Sequence, residues 1–413
     1  MKVPSRSFGE SKAQLLPLTG MRCFLALWVV VFHQTSMEGY LGASLPRLPE
    51  TLFCLLRTGY LAVGVFFVLS GFVLSYNYSL AHSWSYSELV RFFVARFARI
   101  YPAYCAGLIL VAPFVGYSMV NAMSVAKVEK QTVLAVLNWT LLQSWIPQAA
   151  LSWNSPGWSL SNEAFFYCCF PFIGVALWRM SHLRSLVVAG ALIWAAALVL
   201  PLLAVGMPLS GFGNVPATSL HPNANPFWAN LLKFNPLLRI PDFCIGIVIG
   251  RAYHALRGGN SGLLGRGYYL YAPGMVLEIL AILRCNSLPY PLVHNGLLTP
   301  LHALVILGLA LGGGVPARLL SIQPLIFLGN ASYSMYILHS PAAQWMNLIS
   351  VRLFSTRLSG FVPTALYVMV VVCLSAVVFK AVEEPCGRIL KNKLTLRLDV
   401  SRRRNRAAAL AAC

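Results

Sequence analysis

Residues 18–34, LTGMRCFLALWVVVFHQ, form an apolar stretch that carries one arginine and one histidine, Arg22 and His33. Because these residues are eleven positions apart, a helix places them on one face, roughly 16 Å apart along its axis. A cation and a titratable imidazole are costly in lipid and are usually kept where a membrane helix borders a polar cavity. The structural alternatives are that Arg22 reaches the lipid headgroups and that His33 bonds a neighbouring helix.

The composition excludes a soluble globular protein. Of 413 residues, 58% are hydrophobic and 10% are charged, and the mean hydropathy is +0.70. We therefore predict an all-α polytopic membrane protein with about ten transmembrane helices. The predicted spans are 18–36, 52–76, 97–118, 160–178, 186–206, 235–255, 267–284, 297–315, 322–344 and 362–382. Segment 132–146 is apolar but short and amphipathic, so we interpret it as a re-entrant or interfacial helix.

The net charge of +20 is distributed as a membrane topology would distribute it. With alternating spans and a cytoplasmic N-terminus, most Lys and Arg residues fall on the cytoplasmic side, which predicts that both termini are cytoplasmic. The predicted organisation is a basic cytoplasmic leader (1–17), a transmembrane domain (18–385) and a basic cytoplasmic tail (386–413). The distribution favours a multi-pass membrane protein and argues against a nucleic-acid partner. We expect the protein to be located in the plasma (inner) membrane.

Ten cysteines are scattered singly, apart from the adjacent Cys168 and Cys169. No CxxC or Cys/His spacing of a metal site occurs, so the sequence predicts neither a bound metal nor a disulfide framework.

Arg96 and Arg99 are three positions apart at a predicted cytoplasmic boundary, and so lie side by side on one helical face. Two adjacent guanidinium groups present several fixed donors to a phosphate or pyrophosphate. The alternative interpretation is a topological anchor that binds lipid headgroups.

Only three acidic residues fall in or at the edges of spans four to seven: Glu163, Asp242 and Glu278. Each is a candidate site residue, because carboxylates within a membrane are rare. Ser159 or Ser161 can cap the helix that contains Glu163, which would leave this carboxylate in the first turn as a partner of the helix dipole.

Further polar groups occur in span nine and in one long loop. Tyr333, Tyr336 and His339 lie in an otherwise apolar helix, and His339 is predicted at about the depth of His33. Loop 207–230 is rich in Gly, Pro and Asn and is either a lid on the acceptor side or disordered. In span two, Gly59, Gly64, Ser70 and Gly71 are predicted to allow close helix packing.

Taken together, these stretches resemble the membrane-bound acyltransferase 3 family over almost the whole chain. Arg22 and His33 match its opening motif, and Arg96 and Arg99 match its RxxR. The other resembling stretches are FFVLSGF at 66–72, WSLSNE at 158–163, the tyrosine-rich stretch at 332–339 and Glu-Pro at 384–385. The chain departs from the family in having Thr19, Gly64 and Ala164 where acidic residues often stand.

The resemblance implies an acyltransferase with cytosolic acyl-CoA, such as acetyl-CoA, as co-substrate and no bound cofactor. The acceptor would be a hydroxyl on a carbohydrate, a glycolipid or another cell-surface or secondary-metabolite molecule. His33 would be the general base, assisted by Glu163 as a second catalytic residue. Arg22, Arg96 and Arg99 would bind the donor, and Tyr333 and His339 would orient the acceptor. The alternative is a proton-coupled transporter or a flippase of a polar or lipid-linked substrate.

Overall fold

The computed structural model describes residues 15–36, 39–78, 84–121, 124–206, 226–258 and 262–390. All regular elements in these ranges are helical. The helices are α1 (Leu16–His33), α2 (Glu50–Arg57), α3 (Leu61–Asn77), α4 (Tyr86–Val120), α5 (Val125–Trp139), α6 (Trp158–Trp178), α7 (Leu183–Gly206) and α8 (Pro226–Phe234). They continue with α9 (Pro236–Gly258), α10 (Tyr268–Leu283), α11 (Tyr290–His294), α12 (Thr299–Leu311), α13 (Gly314–Leu319), α14 (Gln323–Phe354) and α15 (Phe361–Val378).

A helix lies at each of the ten predicted spans, but fewer have the length and apolarity to cross a membrane. Among the described residues six helices do, or seven if α2 and α3, which meet at 47°, form one broken span. Helices α9 and α14 are long enough but carry more polar residues, and α10 has only 16 residues. The all-helical class is therefore confirmed, whereas the count of ten and the side of the termini stay predictions.

Several helices extend beyond the predicted spans. Helix α4 begins at Tyr86, where Ser85 and Glu88 form a capping box that satisfies free backbone amides. Helix α14 continues to Phe354, ten residues past its predicted end. The hydropathy pattern reports only the part of a helix within the hydrocarbon, so these polar extensions lay outside the prediction.

The short apolar segment at 132–146 is not a single helix. Helix α5 begins earlier, at Val125, and ends at Trp139, and a 3₁₀ turn covers Gln143–Trp145. Leu141 between them has φ of 58°, a backbone conformation that a helix does not contain. An interfacial position for α5 remains a prediction.

Small residues bring the central helices together, as predicted for span two. A Cβ on Gly71 of α3 would lie 2.1 Å from the Phe243 carbonyl oxygen of α9, and one on Gly246 would lie 2.1 Å from the Val68 carbonyl oxygen of α3. Any larger residue would force these two backbones apart. Ser70 and Gly64 do not mediate this close approach of backbones. Ser70 faces a cavity, and Gly64 faces the side chains of Arg239 and His302.

Two hydrogen bonds join helix ends or connections that are far apart in the sequence. Asn286, after α10, donates to Glu50 of α2 at 3.1 Å, and Arg251 of α9 donates to the Trp178 carbonyl at the end of α6 at 3.3 Å. The first pair lies in connections predicted to be external and the second at ends predicted to be cytoplasmic. Each contact therefore joins two parts of the chain that the prediction places on the same side, and the topology itself stays a prediction.

Three predicted features lie wholly or mainly outside the described residues. They are the basic leader up to residue 14, the part of the proposed lid at 207–225 and the basic tail from residue 391.

Candidate active site

A cavity of about 270 Å³ lies among α1, α3, α4, α6 and α14. Three arginines and one glutamate line it, namely Arg22, Arg96, Arg99 and Glu163. Apolar and aromatic side chains, including Phe66, Phe67, Tyr333 and Tyr336, complete the wall. The structure therefore brings together all three predicted donor-binding residues with one of the two predicted catalytic residues.

Glu163 faces this cavity and does not cap its helix. Helix α6 begins at Trp158 without a side-chain cap, and the hydroxyls of Ser159 and Ser161 donate to the carbonyls of Pro156 and Leu141 instead. The capping interpretation is therefore wrong. Ser70 donates to Oε1 of Glu163 at 3.1 Å, and the Tyr167 hydroxyl donates to the same oxygen. Both donors reach the same oxygen, so Oε2 has no hydrogen bond from either of them.

Arg96 and Arg99 both line the cavity, but their partners differ. Arg96 lies between two aromatic rings, with its guanidinium carbon 5.7 Å from the centre of the Tyr78 ring and 5.9 Å from that of Tyr167. Arg99 forms an ion pair with Glu383, with 2.5 Å between Nη1 and Oε1. Arg96 therefore lies against ring faces, with its Nη2 donating a long hydrogen bond to the Tyr78 hydroxyl at 3.5 Å and its Nε buried without a partner among the described residues. Arg99, by contrast, has a carboxylate partner.

Glu383 is a site residue that the sequence analysis missed. It lies in the π-helical segment Phe379–Glu383, is 3% exposed, and accepts a hydrogen bond from Ser334 at 2.8 Å. The next residue, Glu384, is partly exposed and pairs with Lys380 and Arg388 on the surface. The two adjacent glutamates, which the sequence does not distinguish, therefore have opposite environments.

Arg22 points into the cavity and not to the lipid headgroups. It lies within electrostatic range of Arg99, Glu163 and Glu383, and its Nε is buried without a hydrogen-bond partner among the described residues. A buried donor without a partner costs free energy. The structure therefore excludes the headgroup interpretation of Arg22, whereas its role in donor binding stays a prediction.

His33 lies at the other end of α1, beyond the cavity. Its Nδ1 is 2.9 Å from the Val29 carbonyl, and its ring centre is 4.7 Å from that of His339. The Nδ1 of His339 is likewise 2.6 Å from the Tyr336 carbonyl. Since a carbonyl only accepts, each Nδ1 carries a proton, and in the neutral form of each ring the lone pair is then on Nε2. The structure thus pairs the two predicted histidines.

Tyr336 connects the cavity with the histidine pair. It lines the cavity, and its ring centre lies 5.9 Å from that of His339. Tyr333 has a different place, because its hydroxyl donates to the Ile100 carbonyl of α4 and its ring forms part of the wall. The sequence analysis named Tyr333 as a residue that would orient the acceptor, whereas the tyrosine that lies between the cavity and the histidines is Tyr336.

The other two acidic candidates have partners away from the cavity. Asp242 pairs with Arg239 at 3.0 Å and accepts a hydrogen bond from Thr299 at 2.6 Å. Glu278 contacts Nδ1 of His302 at 2.5 Å. These contacts join α9, α10 and α12, so both carboxylates have a structural explanation. Among the described residues no three His, Cys, Asp or Glu side chains cluster as metal ligands.

Lys233, in the short helix α8, is a buried cation outside the candidate spans. It is 9% exposed and lies over the rings of Phe234 and Tyr290, 5.0 and 5.5 Å from their centres. Burial lowers the pKa of Lys233 to about 8.

This pKa predicts how the contribution of Lys233 to stability depends on pH. The folded protein releases the lysine proton near pH 8, whereas the unfolded chain holds it to about 10.4, so folding gains roughly 1.4 kcal/mol per pH unit between these values. The Tm of the native protein minus that of Lys233→Met is therefore expected to increase from pH 7 to pH 10. A constant difference would contradict the lowered pKa.

The fold and the cavity define a multi-pass helical membrane protein with a charged internal site. Residues 17–380 match the model of the acyltransferase 3 family, described as an acyltransferase domain, and the chain belongs to this family. The match confirms the resemblance seen in the sequence and makes the protein an acyltransferase.

One curated relative is the acyltransferase MdmB of Streptomyces mycarofaciens. It is 27% identical over 390 residues, which cover 91% of this chain and 92% of the relative. No solved structure matches the chain significantly.

Proposed function

We propose that this acyltransferase transfers an acyl group, in the simplest case acetyl, from cytosolic acyl-CoA to a hydroxyl of a carbohydrate or of another cell-surface or secondary-metabolite acceptor. It would act in the plasma membrane with both termini in the cytoplasm. The observation that carries the proposal is the arrangement along α1: three arginines surround a cavity at one end, and a histidine pair lies at the other. Family membership favours this function over the transporter alternative.

The donor would bind with its phosphates at the arginines. The cavity lining contains more positive than negative side chains, so an anion is favoured there. The positive ones are Arg22, Arg96 and Arg99, and the single glutamate is Glu163. The cavity lies at the predicted cytoplasmic end of α1, from which CoA would enter. The pantetheine arm would then run along α1 past Tyr336, over an axial distance of roughly 16 Å, to bring the thioester to His33.

The histidine pair supplies the base. The acceptor hydroxyl gives its proton to Nε2 of His33 while its oxygen bonds to the thioester carbonyl carbon. The carbon–sulfur bond then breaks, and the CoA thiolate takes the proton from His33, which restores the neutral ring. His339, with its own Nε2 lone pair and its ring centre 4.7 Å away, would share the proton and stabilise the transient imidazolium. Glu163, held by Ser70 and Tyr167, would offset the charge of Arg22 and leave Oε2 for a substrate donor.

The direct test uses washed membranes that contain the protein and acyl-CoA labelled in the acyl group. Time-dependent release of CoA, with label moving to an acceptor or to water, is the expected result. Membranes with the protein inserted and no CoA release above a vector control would contradict the proposal and return attention to transport.

Arg96→Gln is expected to raise the KM for acyl-CoA by roughly 10- to 100-fold, because it removes a charge-assisted contact worth about 1.5–3 kcal/mol. Arg96→Lys keeps the charge but not the planar fork, so it should recover part of this loss.

Arg91→Gln is the matched control for Arg96→Gln. It removes the same charge from the same helix, and Arg91 does not line the cavity. If the lipid-anchor interpretation holds, the Arg91 and Arg96 variants will lose insertion alike, and the KM of inserted Arg96→Gln will be unchanged.

A further inference from the structure

Two cysteines that are 231 positions apart in sequence meet at the predicted external end of the bundle. Cys54, on α2, is 0% exposed, and Cys285, directly after α10, is 1% exposed. Both belong to one apolar cluster, in which the structure holds them as neighbouring free thiols. The neighbouring hydrogen bond from Asn286 to Glu50 holds the same two segments together.

Hydrogen bonds to α1 fix the position of α2, the helix that carries Cys54. Helix α2 is tied to α1 by a hydrogen bond from Trp28 Nε1 to the Leu55 carbonyl at 2.6 Å and by one from Arg57 to the Thr35 carbonyl at 3.0 Å. Phe32, the residue before His33, packs in the same cluster as both cysteines. A link between Cys54 and Cys285 would therefore fasten the wall next to the catalytic histidine.

We infer that Cys54 and Cys285 form a disulfide bond in the native protein. By the predicted topology, Cys54 lies at the external end of span two and Cys285 in the external connection after span seven, on the side of the membrane where thiols meet oxidising conditions. The bond forms by exchange with the disulfide of a thiol–disulfide oxidoreductase. The two cysteines lose two protons and two electrons, their sulfurs join, and the oxidoreductase disulfide becomes two thiols.

The exchange must precede completion of the fold. Both thiols are inaccessible once α2 and the α10–α11 connection have packed. Burial also raises the pKa of the Cys285 thiol to about 12, so the folded protein holds little of the thiolate that exchange requires. An oxidant added to folded, reduced protein should therefore close the bond only slowly.

The test is a count of free thiols in the full-length protein. Membranes are dissolved in denaturant with N-ethylmaleimide and no reductant, so that every free thiol is blocked. Excess reagent is then removed, and a maleimide mass tag is applied before and after reduction. Of the ten cysteines, two are expected to take the tag only after reduction. A tryptic digest without reductant should contain peptides 48–57 and 285–318 as one linked species.

Cys54→Ser and Cys285→Ser should each abolish the two protected sites and the linked peptide. Cys244→Ser is the control, because Cys244 lies within electrostatic range of Cys169 but on the membrane helix α9, and it should leave the count unchanged. Blocking of all ten thiols by N-ethylmaleimide, or a count that Cys54→Ser does not alter, would overturn the inference. Since the count does not depend on acyl transfer, neither result bears on the proposed enzymatic function.

Discussion

His33→Ala is expected to lower acyl transfer by about 10²-fold or more while the protein remains inserted and expressed. The variant removes the group that takes the proton from the acceptor hydroxyl, and general-base catalysis typically contributes at least that factor. Among the described residues the ring hydrogen-bonds only to Val29 of its own helix, and its packing contact with another helix is the ring of His339, so α1 is expected to stay in place. The measurement is kcat with labelled acyl-CoA at saturating donor.

Two companion variants identify the role of His33. His182→Ala removes an exposed histidine between α6 and α7 and should retain normal kcat. His339→Ala should lower kcat less than His33→Ala does, with little change in the KM for the donor, because His339 acts through His33. Normal turnover by His33→Ala combined with inactivity of His339→Ala would transfer the base to His339.

Arg99→Gln is expected to destabilise the protein by about 3 kcal/mol, in addition to weakening donor binding. Its partner Glu383 is almost fully buried, and an unpaired buried carboxylate costs about 3–5 kcal/mol. We expect the lower end of this range because the Arg99 side chain is itself 31% exposed. Thermal unfolding in detergent should therefore show a clearly lower Tm than that of the native protein.

Two further variants separate the loss of the Arg99–Glu383 ion pair from the loss of the Arg99 charge. The double variant Arg99→Gln, Glu383→Gln removes both charges and should recover most of the lost Tm, but not donor affinity. Arg388→Gln breaks the exposed pair with Glu384 and should change stability by less than about 1 kcal/mol. An Arg99→Gln variant as stable as Arg388→Gln would show that the buried pair carries no stability.

The sequence predicted those site residues that carry a charge within an apolar span, where a charge is energetically costly. Arg22 in an apolar helix and Glu163, one of only three acidic residues in spans four to seven, both stood out, and both line the cavity. The ionic contacts of Asp242 and Glu278 show the limit of this reasoning, because a costly residue can also serve helix association. The sequence contains no sign that Arg239 and His302 would meet them.

Other features depend on rotation about a helix axis and could not be predicted. Ser70 was interpreted as a small packing residue, although its hydroxyl binds Glu163, because span two is apolar on every side. Cys54 and Cys285 gave no spacing signal, since their contact is made by tertiary packing. Hydropathy alone predicted where the ten helical segments lie, but it did not predict the polar extensions at the ends of some of these helices.

The π-helical segment Phe379–Glu383 bears on how the chain tolerates changes of length. Such a segment holds one residue more than the regular α-helical repeat would. Removal of one residue there would restore the regular repeat and turn Glu383 by about 100° relative to the preceding helix. Glu383 would then face away from Arg99, although no residue of the cavity lining had been altered. A natural relative with a single-residue gap at this place is therefore expected to supply Arg99 with a different counter-ion, or to have lost the arginine as well.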